Sequence, residues 1–300
     1  MRSWWMGRSG VAPTFPGRTR GLLLALGGSV VLSFDALLVR LADTGSYEVI
    51  FWRGWLIFVS LTLVVRLLHR RWPWDCARED GTSAWVIAVG MGFSSILFVQ
   101  AVLHTTIANV LVLLSLAPVF AVLFSGVLMR EWITGPAWVV VLLCMLGTWI
   151  MIIGSHGQGH VSGDLMALGA AVVVGINLSM LRRSRSVRHL PVIALSGAVA
   201  GLIVIPFASP LAVSPTGFAV LLLMGCIQMP LALLLLTRSL YYLPSAETAT
   251  FLVIEAVFGS LWAFLILSEA PTTATFLGGT LILMTLLVHI LRSLFQRSRC

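Results

Sequence analysis

Ten apolar runs, each about 20 residues long, follow one another along the chain with only short connections between them: 21–41, 47–68, 84–103, 105–128, 133–153, 163–182, 190–208, 215–238, 243–266 and 272–292. At 1.5 Å per residue a helical run of that length crosses the hydrocarbon layer of a bilayer. No water is present there to satisfy backbone amides and carbonyls, so each run must be a helix, whose backbone bonds are internal. The expected fold is all-α and integral to the membrane, with ten transmembrane helices, here called segments 1–10.

Composition leaves no soluble alternative. Charged residues make up 10% of the 300 residues and hydrophobic ones 59%, with a mean hydropathy of +1.01. A soluble domain carries roughly 25% charged residues. All 19 cations are Arg, and the net charge of +8 would suggest a nucleic-acid partner if they formed a patch. They do not. With the N-terminus in the cytoplasm, 17 of the 19 fall at the inner ends of segments or in inner connections; only Arg40 and Arg53 do not. The positive-inside rule therefore sets both termini in the cytoplasm. Trp72, Trp74, Trp85, Trp132 and Trp138 fall at the inner interface, and Trp52, Trp55 and Trp149 towards the outer one, as in an aromatic belt. Residues 1–20 are basic, and the apolar run behind them carries no small-residue cleavage site; a retained first helix is expected rather than a signal peptide. Cys76, Cys144, Cys226 and Cys300 have no metal-ligand spacing and are expected to be free thiols.

Two stretches echo each other without gaps. Residues 21–40, GLLLALGGSVVLSFDALLVR, align with 163–182, GDLMALGAAVVVGINLSMLR, and agree at eight of 20 positions, from Gly21/Gly163 to Arg40/Arg182. LAPVF at 116–120 aligns with IEAVF at 254–258, and the same offset pairs Glu131 with Glu269. Segments 1–5 are thus expected to repeat as segments 6–10. Five is odd, so the copies run in opposite directions. Two inverted five-helix repeats are an architecture of secondary transporters, which expose a central site to either side by exchanging the conformations of their halves. The expected organisation is a cytoplasmic tail at 1–20, a first repeat at 21–153, a second at 163–292 and a cytoplasmic tail at 293–300.

These features resemble the drug/metabolite transporter superfamily, EamA type. The resemblance covers residues of about 20–292, including segment 4 ending in Arg130–Glu131 and segment 9 ending in Ser268–Glu269. Within the superfamily the chain is most similar to bacterial exporters of amino acids, such as the aromatic amino-acid exporters. The resemblance implies a multi-pass protein of the bacterial inner membrane, working as a monomer and without a cofactor. It implies export of aromatic or other neutral amino acids and related metabolites by alternating access. Efflux of drugs or lipophilic cations is the alternative, with a channel behind it. One departure is visible: Pro118 of segment 4 aligns with Ala256 of segment 9, so the two helices are not expected to bend equally.

Ionisable groups inside spans are costly and are functional candidates. Asp35 lies six residues from the outer end of segment 1, and Arg53 six residues from the outer start of segment 2. Both are about 9 Å deep, so they can pair, as a structural contact, as an outer gate or as a docking point for a substrate's charged end. Asn177 holds the position of Asp35 in segment 6, but the corresponding stretch of segment 7 is apolar, so the pair is not duplicated. Glu255 falls near the middle of segment 9 with Phe251, Phe258 and Trp262 around it; Gln228 lies mid-segment 8 beside Pro230, Ser94 and Ser95 mid-segment 3, and Ser115 three residues before Pro118. Pro118 and Pro230 are expected to bend their helices and open a mostly apolar cavity with a few polar groups, suited to a small amphipathic ligand. Glu255 could bind an ammonium, carry a proton, or serve only structure. Glu247 and Asn109 lie one turn into segments 9 and 4, where structural or entrance roles are expected. His104, His156 and His160 lie near the outer interface without acids or Cys at ligand spacing, so no metal is expected. Gly197 and Gly201 form a GxxxG, expected to pack inside the chain.

Rival classes lack their residues. No HExxH, Gly-rich phosphate loop or catalytic carboxylate pair appears, and all six His lie near segment ends or in connections. No ring of basic residues lies at central depth, so phosphorylated substrates fit poorly. The expected partners are a small amine-bearing substrate and the lipid bilayer, with no nucleic acid.

Overall fold

The computed structural model describes residues 15–129, 135–155, 161–184, 187–239, 242 and 245–297. Glu131, Trp132, His156 and His160 lie outside the described residues, as do the side chains of Arg182, Glu247 and Phe251. Among the described residues every regular element is helical. Six helical spans are long and apolar enough to cross a membrane, and four shorter apolar helices, including Trp138–Gly154 and His189–Val204, accompany them.

The first span begins at Phe15, inside the expected tail, and is interrupted. Helix α1 (Phe15–Leu32) gives way at Ser33–Phe34 to α2 (Asp35–Leu41). Ser33 Oγ donates to Val30 O at 2.7 Å, while Phe34 N reaches Val31 O only at 3.4 Å. A hydroxyl bonded to the preceding turn competes with the backbone ladder, and regular bonding resumes with Leu38 N to Phe34 O at 2.9 Å.

Helix α3 (Ser46–His69) is continuous. Behind it stands a short helix absent from the expected layout, α4 (Pro73–Asp80), with Pro73 at its first turn, Arg78 in its last turn and Gly81 at φ +83° ending it. Pro73, Cys76 and Ala77 are buried, and its polar face stays outside. Helix α5 (Thr82–His104) is continuous. The fourth span then breaks as Pro118 requires, into α6 (Ile107–Leu114) and α7 (Ala117–Met129). Pro118 has no N–H to give Leu114 and its ring crowds that carbonyl; the chain tightens, with Leu116 N donating to Leu113 O at 3.1 Å.

Helices α8 (Gly135–Ser155), α9 (Val161–Arg183) and α10 (His189–Val204) follow. The eighth span starts as α11 (Pro215–Leu222), widens into a π-helical turn at Leu223–Gln228 and continues as α12 (Met229–Ser239). Pro230 therefore acts through one wide turn rather than a sharp kink, a common way to absorb a missing backbone donor. Helices α13 (Ser245–Leu267) and α14 (Thr273–Arg297) are uninterrupted, so segment 4 breaks and segment 9 does not, as Pro118 opposite Ala256 implies.

Small residues set the closest approaches. A Cβ on Gly54 of α3 would stand 2.6 Å from Gly197 O of α10, and one on Gly147 of α8 2.8 Å from Gly278 O of α14. The GxxxG at Gly197 and Gly201 thus packs within the chain, where only glycine lets backbones touch. Trp138, Leu142, Met145 and Trp149 stay exposed along α8, the face that lipid covers in a bilayer.

Candidate functional site

The break in the first span collects the polar groups of five helices. Asp35 opens α2 and is 5% exposed; Arg53 of α3 is 6% exposed. Arg53 Nη2 donates to Asp35 Oδ2 at 2.8 Å. Its other terminal nitrogen, Nη1, donates to Ser95 Oγ of α5, and the guanidinium lies 5.6 Å over the Phe98 ring, a cation–π contact. The expected Asp35–Arg53 pair is formed, and Ser95 belongs to it.

The interrupted backbone is served by two further helices. Gln228, at the end of the π-helical turn, donates from Nε2 to Val31 O at 3.0 Å. Trp262 of α13 donates from Nε1 to Ser33 Oγ at 3.0 Å and stacks on Phe34 with centroids 4.9 Å apart. Phe258 lies 6.2 Å from the same indole. Glu255, Phe258, Gly259 and Trp262 share one face of α13 by their spacing. Gly259 fixes where that face points: a Cβ there would meet Leu111 and, at 3.2 Å, Ser33 O. Glu255 stands one turn away, within electrostatic reach of Asp35.

Three expected residues stand apart. Ser94 donates weakly to Ala170 O of α9 at 3.4 Å, and Ser115 to Val112 O within its own segment at 2.6 Å. Asn177 is buried with its amide against Gly90 of α5, and its Nδ2 has no partner among the described residues. Of the helix-bending prolines, Pro230 follows Gln228 by two residues and Pro118 sits at the break of the fourth span.

Both ends of the bundle carry polar closures. At the end holding α2, Arg40 lies 3.2 Å from Glu269 and donates to Thr105 O at 2.7 Å; Glu269 Oε2 also accepts from Ile107 N at 3.3 Å. Asp164, wholly buried, accepts from Thr105 Oγ1 at 2.7 Å and Asn109 Nδ2 at 3.0 Å. Thr275 donates to Asn109 Oδ1 at 2.6 Å. At the other end Arg188 joins Asp80 and Glu79 of α4 at 2.9 and 2.8 Å, and Glu79 also meets Arg71. The Arg188 hydrogen bond holds the Glu79 carboxyl below its ordinary range, while burial pushes the Cys76 thiol up. Among the described residues no three His, Cys, Asp or Glu converge as a metal site would need.

Ser33, Phe34 and Asp164 carry roles that the sequence analysis does not assign. A Ser–Phe pair inside an apolar run has no break signature comparable to Pro118. Asp164 has a readable signal, an acid four residues into a span, where a helix N-terminus favours it.

The chain is similar to known proteins. The profile of the EamA-like transporter family matches residues 19–153 and 161–291. The pseudopaline exporter CntI of Pseudomonas aeruginosa is 27% identical over 275 residues, 88% of this chain and 93% of that one. The uncharacterized transporter YwfM of Bacillus subtilis is 25% identical over 233 residues, covering 75% and 76% of the two chains. A solved crystal structure at 18% identity superposes with a TM-score of 0.60 over 90% of this chain and 96% of the other, a likeness of fold.

Proposed function

The chain belongs to the EamA-like transporter family, and from that premise we propose that it exports aromatic or other neutral amino acids and related amine-bearing metabolites across the bacterial inner membrane. It is a multi-pass membrane transporter rather than an enzyme. The observation that carries the finer reading is the broken first span: a helix interrupted at membrane depth, with Asp35, Arg53, Gln228, Glu255 and Trp262 drawn to the interruption from different helices. A break in the backbone ladder inside a membrane is tolerated where protein or a cavity satisfies it, and interrupted helices form the substrate sites of many secondary transporters. The surrounding Phe34, Phe258 and Trp262 suit an aromatic side chain. Phe251 extends the same run of sequence. A relative named as an exporter favours the outward direction.

Alternating access follows from ten spans arranged as inverted five-helix repeats, 21–153 and 163–292, with both termini cytoplasmic. The helix pairings support this. Under such a repeat the second and seventh spans meet across the axis, as α3 and α10 do, and so do the fifth and tenth, α8 and α14. The α5–α9 contact has its counterpart in α12–α1, and α7–α9 in α13–α1. Transport then runs on an ion or substrate gradient, in a protein that works as a monomer. Lipophilic-cation efflux is the second reading, favoured by the aromatic groups beside two carboxyl residues.

Proteoliposomes loaded with a panel of amino acids and amines test the reading, with and without a pH gradient. Saturable counterflow of aromatic or neutral amino acids is expected. Exchange of lipophilic cations alone would move the protein to the second reading, and transport that requires ATP would end both.

A further inference from the structure

The Asp35–Arg53 contact is one-sided. Arg53 reaches Asp35 through Oδ2 alone, because its other terminal nitrogen is committed to Ser95. Asp35 Oδ1 accepts nothing among the described residues, although the side chain is almost wholly buried. A bidentate fork would have used both oxygens. A buried carboxylate oxygen without a donor is costly, and proteins keep one where something else supplies the donor.

A second acceptor faces the same need. Gln228 is 6% exposed, and Oε1 has no partner among the described residues. Its orientation is fixed, since the amide must present Nε2 to Val31 O, which leaves no room for the flipped assignment. Val31 and Asp35 lie one turn apart on either side of the break, so both orphan acceptors belong to one place in the fold. Glu255 adds a second carboxyl group within electrostatic reach, against the single guanidinium of Arg53. The remaining unpartnered atom of the group, Arg53 Nε, is a donor. The break thus offers more acceptors than donors, in a setting otherwise lined by Phe34, Phe258 and Trp262.

Resting on the export reading above, we infer that the break in the first span is an ammonium site that requires N–H donors: Asp35 Oδ1 and Gln228 Oε1 accept from a primary or secondary ammonium, while Arg53, itself held by Ser95, is a positioning residue that holds the Asp35 carboxylate by its other oxygen. The chemistry selects against two neighbouring classes. A quaternary ammonium has charge but no N–H to give, and leaves both acceptors unpaired. A carboxylate without an amine meets two unpaired acceptors and the carboxyl groups of Asp35 and Glu255, against one unpartnered donor, Arg53 Nε. Selection by unpaired buried groups is steeper than selection by size.

The test measures binding to the purified full chain in nanodiscs, by thermal shift and tryptophan fluorescence, with three probes that share a phenethyl group: phenethylamine, its N,N,N-trimethyl analogue and 3-phenylpropionate. Wild type is expected to prefer phenethylamine to the trimethyl analogue by about 10–100-fold, the worth of one charge-assisted hydrogen bond. Asp35→Asn is expected to erase that preference. Gln228→Leu, which keeps the ion pair and so serves if Asp35→Asn does not fold, is expected to reduce it about tenfold or less. Equal wild-type affinity for the amine and its trimethyl analogue would overturn the inference. So would a preference that survives both substitutions and disappears in Glu255→Gln, which would move the ammonium to Glu255. Counterflow of phenylalanine on the same preparations separates the two levels. Intact amine preference without counterflow refutes amino-acid export alone. Working counterflow with unchanged preference in Asp35→Asn refutes the ammonium site alone.

Discussion

Residues 29–40, SVVLSFDALLVR, and 171–182, AVVVGINLSMLR, are the same sequence idea in two surroundings. The first is broken at Ser33–Phe34, and the second runs as unbroken helix through Gly175, Ile176 and Asn177. At the break, lost ladder bonds are replaced from outside: the Ser33 hydroxyl takes Val30 O, Gln228 takes Val31 O, and Trp262 holds Ser33. At Gly175 the ladder is intact, the only side chain seen on its carbonyl among the described residues is Ser179 of the same helix at 2.8 Å, and the missing side chain is used for packing. A Cβ there would stand 2.5 Å from Phe120 Cβ and 3.0 Å from Ala117 O, just past the break in the fourth span. Neighbouring helices therefore decide which copy bends. Where they bring polar groups the backbone can open; where they bring backbone against glycine it stays closed.

The largest expected effect removes the partner that only the first copy has. Arg53→Gln leaves Asp35 buried without its cation, at a cost of about 3–5 kcal/mol. The double substitution Asp35→Leu/Arg53→Leu removes both charges and is expected to recover most of that loss, since well-packed apolar pairs replace buried ion pairs at little cost. Equilibrium unfolding in bicelles checks both. Equal losses in the single and double variants would mean that shape rather than charge holds the break together.

That contrast also marks how far the sequence could be read. The apolar runs, the Asp35–Arg53 pair and the absence of an equivalent at Asn177 were legible, because depth in a membrane is a count along a helix. Pro118 announced its break, because proline removes a donor wherever it stands. The break at Ser33 was not legible: a lone Ser in an apolar run is a weak local signal, and the groups that satisfy the opened backbone, Gln228 and Trp262, come from nearly 200 residues or more away. Ser94 and Ser95 illustrate the limit. Adjacent in sequence, they face different helices, Ser95 towards Arg53 and Ser94 towards Ala170, and mid-span depth alone could not separate them. Asp164 lay in plain view near a span end, yet its value comes from Thr105 and Asn109 closing over it.

An intermediate effect is expected at the glycine of the second copy. Gly175→Ala forces a methyl group against Phe120 Cβ and the Ala117 carbonyl, neither of which is the free end of a flexible side chain. Overpacking of this kind costs about 1–3 kcal/mol. Ser33→Ala, at the aligned position of the first copy, acts differently: it creates no clash but removes the acceptor of Trp262 and the donor to Val30 O. Thermal unfolding of the two variants side by side is expected to show a loss in each. Only Ser33→Ala is expected to alter the fluorescence of Trp262, whose N–H it strands. Identical spectral change in both would mean that the two positions sense one another through the fourth span and are not independent.

The smallest effect should fall where Asp35 has its counterpart. Asn177 is buried, but its Nδ2 already lacks a partner among the described residues, so part of its desolvation cost is uncompensated in the native protein. Asn177→Ala removes that unpaired donor together with some packing against Gly90. The two contributions oppose each other, and the net change is expected to stay below about 1 kcal/mol. Asp35→Ala, the equivalent change in the first copy, strands Arg53 and should cost several times more. Unfolding free energies for the two alanine variants measure the ratio directly. A loss at Asn177 as large as at Asp35 would show that the amide holds a second, neutral latch. The difference between the two stretches would then be one of chemistry only, with equal strength at both.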